Sequence, residues 1–295
     1  MMKKKVIYAL GVFDGVHFGH QALLKACREL ADSLGCQAGV VTFSCHPDGL
    51  VLGKTPSLIN TSSDREHLLR SFGADCVIEL PFDEHMMHMP WQDFYRLLTE
   101  QYQAAGFVCG EDFRFGNRGA GTAALLQKLS EEQKLPCRVI PEQKLGETTV
   151  SSTHIRRLLE RGEMAEAVRF LGHPHILTGR VVAGQKLGRT IGIPTANLAL
   201  PEELVQLKFG VYACKTEIDG KSYLAVTNVG NRPTVAGENL TVEAWILDFD
   251  GDLYGKEITL SFYDFLREEK KFPDLQTLQT QIQADSRKVR KIFEK

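Results

Sequence analysis

Val6-Ile7-Tyr8-Ala9-Leu10-Gly11-Val12-Phe13-Asp14-Gly15-Val16-His17-Phe18-Gly19-His20 is the stretch on which the architecture turns. Its first five residues are apolar without alternation, the pattern of a strand buried on both faces. A glycine-rich turn comes next. Leu23, Leu24, Cys27, Leu30, Ala31 and Leu34 then recur at three- and four-residue spacing, which predicts a helix over 19–34. Strand, glycine turn and helix in that order begin a parallel, doubly wound sheet. Outward from this unit the alternation repeats. Strands are predicted at 39–43, 76–80, 107–109 and 138–140. Helices are predicted after the capping box Ser63-Asp64-Arg65-Glu66, over 91–102 and over 122–129.

Two more helical stretches, about 153–161 and 164–171, precede Gly172-His173-Pro174, which breaks the pattern. The linker is placed there, giving domains 1–172 and 173–295. The second half reads as short strands at 176–182, 210–218, 223–229, 241–249 and 257–262, with Asp219-Gly220 and Asp250-Gly251 as hairpin turns. Several such strands without intervening helices predict a small antiparallel β-barrel. A helix from about residue 274, with Leu275, Leu278, Ile282, Val289, Ile292 and Phe293 at helical spacing, closes the chain. The fold class is thus α/β: a Rossmann-like domain, then a barrel with a C-terminal helix.

The bulk numbers fit two globular domains: 295 residues, 43% hydrophobic and 24% charged. A net charge of −2 disfavours nucleic acid and acidic lipid as partners. The seven cysteines form no C-x-x-C pair, the usage of reduced thiols in a cytoplasm and not of a zinc site. The basic start is followed by too short an apolar run for a leader, and no run approaches the roughly 18 residues of a membrane span.

Two constellations lie in the first half. Gly11, Phe13, Asp14 and Gly15 form the turn, and His17 and His20 flank the helix start. Glycines admit close backbone approach, and a helix start favours phosphate. Imidazoles there can donate to charge growing on phosphorus. Ser151-Ser152-Thr153 can cap the next helix, but Arg156 in its first turn opposes the dipole and so suggests a nearby anion. In the second half, Gly184, Gly188 and Gly192 suggest a phosphate cradle. Thr195 and Asn197 present oxygen ligands two residues apart, which suit Mg²⁺ beside a nucleotide. Glu243 is a lone acid in an apolar strand, either paired, functional or facing the surface. Alternation does not decide, because both parities of that strand hold apolar residues.

G-x-F-D-G-x-H-x-G-H with a later S-S-T-x-I-R resembles the nucleotidyltransferase superfamily, and within it the adenylyltransferase half of bacterial bifunctional FAD synthetases. Gly110-Glu111-Asp112-Phe113-Arg114-Phe115-Gly116 is similar to that family's G-x-D-F-R-F-G. Thr42-Phe43-Ser44-Cys45-His46-Pro47 resembles its T-F-x-P-H-P, with Cys45 in place of a proline. The glycine-rich segment, Pro194-Thr195-Ala196-Asn197, Val242-Glu243 and Phe265-Leu266-Arg267 resemble the riboflavin kinase domain, with Trp245 where that family often has histidine. The resemblance implies two reactions: phosphorylation of riboflavin to FMN by ATP, and adenylylation of FMN to FAD with release of pyrophosphate. It implies His17 and His20 as transition-state donors, and Ser151, Ser152, Thr153 and Arg156 as the grip on the leaving phosphates. Asp112, Phe113, Arg114 and His46 would help to place ATP or FMN. Glu243 would be the kinase base, Thr195 and Asn197 the Mg²⁺-ATP ligands, and Arg267 a flavin contact. The oligomeric state is left open. The alternative is another nucleotidyltransferase of the superfamily carrying a non-catalytic flavin-binding barrel.

Overall fold

The computed structural model describes residues 5–184, 192–234 and 237–294. The chain packs as two compact units, one of residues 1–58 and 65–152 and the other of residues 59–64 and 153–295.

The first unit is built on a parallel sheet of β1 (Val6–Leu10), β2 (Gln37–Phe43), β3 (Cys76–Leu80), β4 (Ala104–Gly110) and β5 (Cys137–Ile140), in the order β3-β2-β1-β4-β5. All five residues of β1 are buried, as its unbroken apolar run requires of a central strand. Helix α1 (Phe18–Ser33) turns Leu23, Leu24, Ala26, Cys27, Leu30 and Ala31 inward. Helix α2 (Ser62–Ser71) begins before the expected capping box. Thr61 Oγ1 accepts the Asp64 N–H, so Thr61 and not Ser63 is the cap, and Glu66, which would close the expected box, pairs with Arg70 instead. Helix α3 (Trp91–Arg96) runs into a π-turn at Leu97–Gln101, and helix α4 (Ala123–Glu132) is capped by the Thr122 hydroxyl.

Helix α5 (Ser152–Arg161), which starts on the last residue of the first unit, and α6 (Met164–Leu171) precede the barrel strands. These are β6 (His175–Val182), β7 (Ala196–Ala199), β8 (Gly210–Ile218), β9 (Lys221–Thr234), β10 (Gly237–Ile246) and β11 (Glu257–Arg267), closed in the order β6-β7-β10-β9-β8-β11. Asp219 and Gly220 both have positive φ, 52° and 74°, and join β8 to β9 in the two-residue turn expected of Asp-Gly. Asp250-Gly251 is not a hairpin turn. Strand β10 pairs with β7 and β9, so the chain must cross from β10 to β11 by the longer connection after Ile246. Tyr212 and Phe262, both fully buried, meet edge to face at 5.4 Å inside the barrel. Helix α7 (Leu275–Phe293) covers one outer face, where Val289 packs with Val211, Ala213, Val226 and Leu247.

Candidate active sites

The loop after β1 is held in an unusual backbone. Phe13 and Val16 have φ of 57° and 39°, left-handed values that cost a non-glycine residue about 1–3 kcal/mol each. Gly15, at φ 84°, takes the same region without that cost. Four side chains hold the loop by its carbonyls. Thr42 Oγ1 donates to Val12 O at 2.8 Å and Arg65 Nη1 to the same oxygen at 3.4 Å. Ser152 Oγ donates to Asp14 O at 2.8 Å, and Gln21 Nε2 to Val16 O at 2.9 Å. At about 1 kcal/mol each, such bonds match the strain they oppose.

His17 is the N-cap of α1. Its Nδ1 accepts the His20 N–H at 3.3 Å, so the proton of the neutral ring lies on Nε2. The two imidazoles stack with centroids 3.6 Å apart and planes 15° apart, and Phe13 packs on His20 at 5.0 Å. Burial, His17 and the Arg65 guanidinium together push the His20 ring well below the usual imidazole range. A neutral His20 therefore stands beside the helix start at pH 7. Phe13, Asp14 and His17 are buried, and Gly11 lies against the Phe13 ring.

The structure brings Ser152 to this loop. Ser151 is half-buried beside it in sequence, while Thr153 is exposed and Arg156 buried in α5, in the second unit. Asp112 and Arg114 are both exposed just past the end of β4, and Phe113 stacks on Phe115 at 5.7 Å, as same-face residues of an extended segment do. His46 Nδ1 accepts the Asp48 N–H at 3.3 Å, and exposed Cys45 donates its thiol to Phe82 O at 3.5 Å.

In the barrel, register settles what alternation leaves open. Glu243 lies directly opposite Asn197 on one side and Asn228 on the other. Directly paired residues point to the same face, so the three form an amide–carboxylate–amide row across β7, β10 and β9. Trp245, two residues on, belongs to the same face and packs with the cluster under α7. Asn228 Nδ2 also donates to Glu269 Oε1 at 3.0 Å. Gly184 comes so close to Asn197 that a Cβ would stand 2.4 Å from the amide, so only glycine fits. Gly192 has φ 71° and is exposed, and Gly188 lies outside the described residues. Thr195 lines a cavity of about 310 Å³ with Val181, Ala244, Ile246, Phe249 and Tyr254. The loop 249–254, which the sequence presents only as a turn, supplies much of that wall. Arg267 is tied elsewhere: Nε and Nη2 reach Asp285 Oδ2 at 2.9 and 2.8 Å, and Nη1 donates to Glu268 O at 3.0 Å. Asn197, opposite Glu243, and Thr195, two residues before it, carry hard oxygen donors of the kind a divalent cation takes. No group of three or more His, Cys, Asp and Glu among the described residues could hold a metal ion.

A family described as FAD synthetase matches residues 1–154, and one described as riboflavin kinase matches residues 171–293. The bifunctional riboflavin kinase/FMN adenylyltransferase of Listeria monocytogenes is 32% identical over 98% of this chain and 93% of its own length. The chain belongs to the bifunctional riboflavin kinase/FMN adenylyltransferase family. Other proteins of that name, from Pseudomonas fluorescens and Escherichia coli K12, are 37% and 35% identical over 95% and 97% of the chain, and over 90% and 92% of their own lengths. A solved structure described as a macrolide-efflux protein from Streptococcus pneumoniae superposes with a TM-score of 0.87 at 30% identity, covering 98% of this chain and 95% of that one. Against the bifunctional riboflavin kinase/FMN adenylyltransferase family, the order of the two units is the expected one. No helix among the described residues is long and apolar enough to cross a membrane.

Proposed function

We propose that the loop after β1 is where FMN is adenylylated and that the Asn197–Glu243–Asn228 row is where riboflavin is phosphorylated. The chain is a bifunctional flavin-coenzyme enzyme. It transfers the γ-phosphoryl group of ATP to riboflavin, giving FMN, and then the adenylyl group of a second ATP to FMN, giving FAD and pyrophosphate. ATP is the co-substrate of both steps. The functional domains are 1–172 and 173–295. This division assigns α5, with Thr153 and Arg156, to the adenylyl-transfer site, whereas packing groups it with the barrel. The thiols, all unpaired, accord with a cytoplasmic enzyme.

The register of β10 carries the kinase assignment, since it sets Glu243 between two amides on one face of the barrel wall. A hydroxyl is a weak nucleophile at neutral pH, so Glu243 takes the proton of the terminal ribityl hydroxyl as that oxygen attacks phosphorus. Thr195 and Asn197 hold the ATP phosphates, and Gly184 lets the backbone approach them. A divalent cation on Thr195 and Asn197, which we assign as Mg²⁺, supplies charge neutralisation there. The cavity beside Thr195 takes the nucleotide base.

In adenylyl transfer the FMN phosphate is already an anion and needs no base. The chain's task is to hold two anions together and stabilise the growing charge. His17 donates through Nε2–H, and His20, neutral, donates without adding a buried cation. Ser151, Ser152, Thr153 and Arg156 secure the leaving pyrophosphate. Asp112, Phe113, Arg114 and His46 line the approach. One assay tests the whole reading: riboflavin and Mg-ATP given to the parent, Glu243→Gln and His20→Ala, with FMN and FAD separated by chromatography and FMN supplied in a parallel set. Glu243→Gln should stop riboflavin phosphorylation and spare FAD formation from supplied FMN, and His20→Ala should do the reverse. Loss of both activities by either variant overturns the assignment.

A further inference from the structure

Arg65 stands in the first turn of α2 with 3% of its surface exposed. Its guanidinium reaches the carboxyl ends of three neighbouring strands. Nη2 donates to Phe43 O at the end of β2 and to Glu79 Oε1 in β3, each at 2.8 Å. Nη1 donates to Val12 O, just past β1, at 3.4 Å. A plain ion pair would aim both terminal nitrogens at the carboxylate. Here the fork is divided, and two of its three bonds go to backbone carbonyls, one in the loop after β1 and one at the last residue of β2.

The Val12 carbonyl matters because its peptide plane leads into Phe13, the first left-handed residue of the loop, whose ring packs on His20. Thr42 Oγ1 holds the same oxygen from β2. Turning that plane would move Phe13, Asp14 and the start of α1 together. We infer that Arg65 is a positioning residue for adenylyl transfer, which fixes the loops after β1 and β2 against each other and so sets the place of His17 and His20. Lysine cannot replace it, since an ammonium on a flexible stem is a point donor and not a planar fork. The inference rests on adenylyl transfer taking place at this loop.

The test uses the full chain, with both reactions measured on each preparation. Arg65→Met should lower kcat for FAD formation from FMN and ATP by roughly 30- to 100-fold, the scale of an ångström-sized misplacement, and change KM for ATP by less than about threefold. Riboflavin phosphorylation in the same tube should stay within about twofold, which reports that the protein is folded. Arg65→Lys should recover less than roughly a tenth of the lost rate. Should Arg65→Met not fold, Glu79→Gln, which frees one side of the fork, should give the same kcat-only fall at about three- to tenfold. Full rescue by lysine, a change confined to KM, an equal fall in both reactions, or an unaltered kcat overturns the inference. His20→Ala is run beside them: if it keeps full FAD formation, the location of the adenylyl-transfer site fails, and not the role of Arg65 in holding the loop.

Discussion

The Ser152 hydroxyl donates to the carbonyl of Asp14 at 2.8 Å across 138 residues of sequence. Two motifs that the sequence separates by most of a domain thus share one hydrogen bond. A serine that would otherwise only begin a helix clamps the loop in which Phe13, Gly15 and Val16 all take positive φ. Ser152→Ala removes the clamp and leaves a carbonyl short of a donor. FAD formation should fall about tenfold, while riboflavin phosphorylation holds. Steady-state rates for both reactions on one preparation check this, and an unchanged FAD rate would show that the clamp is dispensable.

The stacked His17–His20 pair predicts a pH response. Burial, His17 and Arg65 depress the His20 pKa well below its ordinary value of 6.5. The ring therefore stays neutral through pH 6 to 8, and kcat for adenylyl transfer should show no acid limb near 6.5 that belongs to His20. A limb near 6.5 that vanishes in His20→Asn would contradict this.

Glu243→Gln keeps the shape of the amide–carboxylate–amide row but removes the carboxylate that we propose as the proton acceptor. Loss of a positioned base costs about 10²- to 10⁴-fold, so FMN formation should fall by that order while FAD formation from supplied FMN continues. Product analysis by chromatography decides it. Retained phosphorylation of riboflavin would assign the base elsewhere.

His175 begins β6 fully buried, and neither ring nitrogen has a hydrogen-bond partner among the described residues. Burial first, and the nearby His173 second, lower its pKa from 6.5 to about 3. The unfolded chain then binds a proton that the folded one refuses. Stability is full above pH 6.5 and falls as pH drops from 6.5 towards 3, by as much as about 5 kcal/mol. His175→Phe should leave Tm at pH 7 unchanged or raised and shrink the drop in Tm between pH 7 and pH 4. Thermal scans at both values provide the measurement, and an equal drop in both proteins refutes it.

The Arg267–Asp285 pair joins β11 to α7, with Asp285 fully buried. Breaking such a pair strands a charge and costs about 3–5 kcal/mol, whereas replacing both partners by apolar residues is often neutral. Asp285→Ala should destabilise the barrel on that scale, and Arg267→Met with Asp285→Leu should recover most of it. If Arg267→Met instead raises KM for riboflavin without lowering Tm, the guanidinium serves the flavin rather than the helix.

Much of the fold is legible in the amino-acid order itself. Uninterrupted apolar runs such as Val6–Leu10 mark buried parallel strands, and Asp219-Gly220 supplies the two positive φ values its turn needs. The misreadings have physical causes. Thr61 takes the place of Ser63 as the α2 cap, and Glu66, which the box needs to reach back, spends its carboxylate on Arg70 one turn on. Asp250-Gly251 reads as a hairpin only if β10 and β11 pair, and barrel closure gives each of them other neighbours. Alternation cannot assign the face of Glu243 because apolar side chains of β10 pack on both sides of the wall, Trp245 with the cluster under α7 and Ala244 on the opposite, fully buried side. Arg65 leaves no trace beyond a cap-like tetrapeptide, since two of its acceptors are backbone carbonyls, which every residue carries.

Barrel closure has an evolutionary corollary. With each strand clasped by two neighbours, Glu243 keeps its latitude on the cylinder whatever happens to the connections between strands. Insertions, deletions and drift in those connections would leave in place the carboxylate that we propose as the proton acceptor.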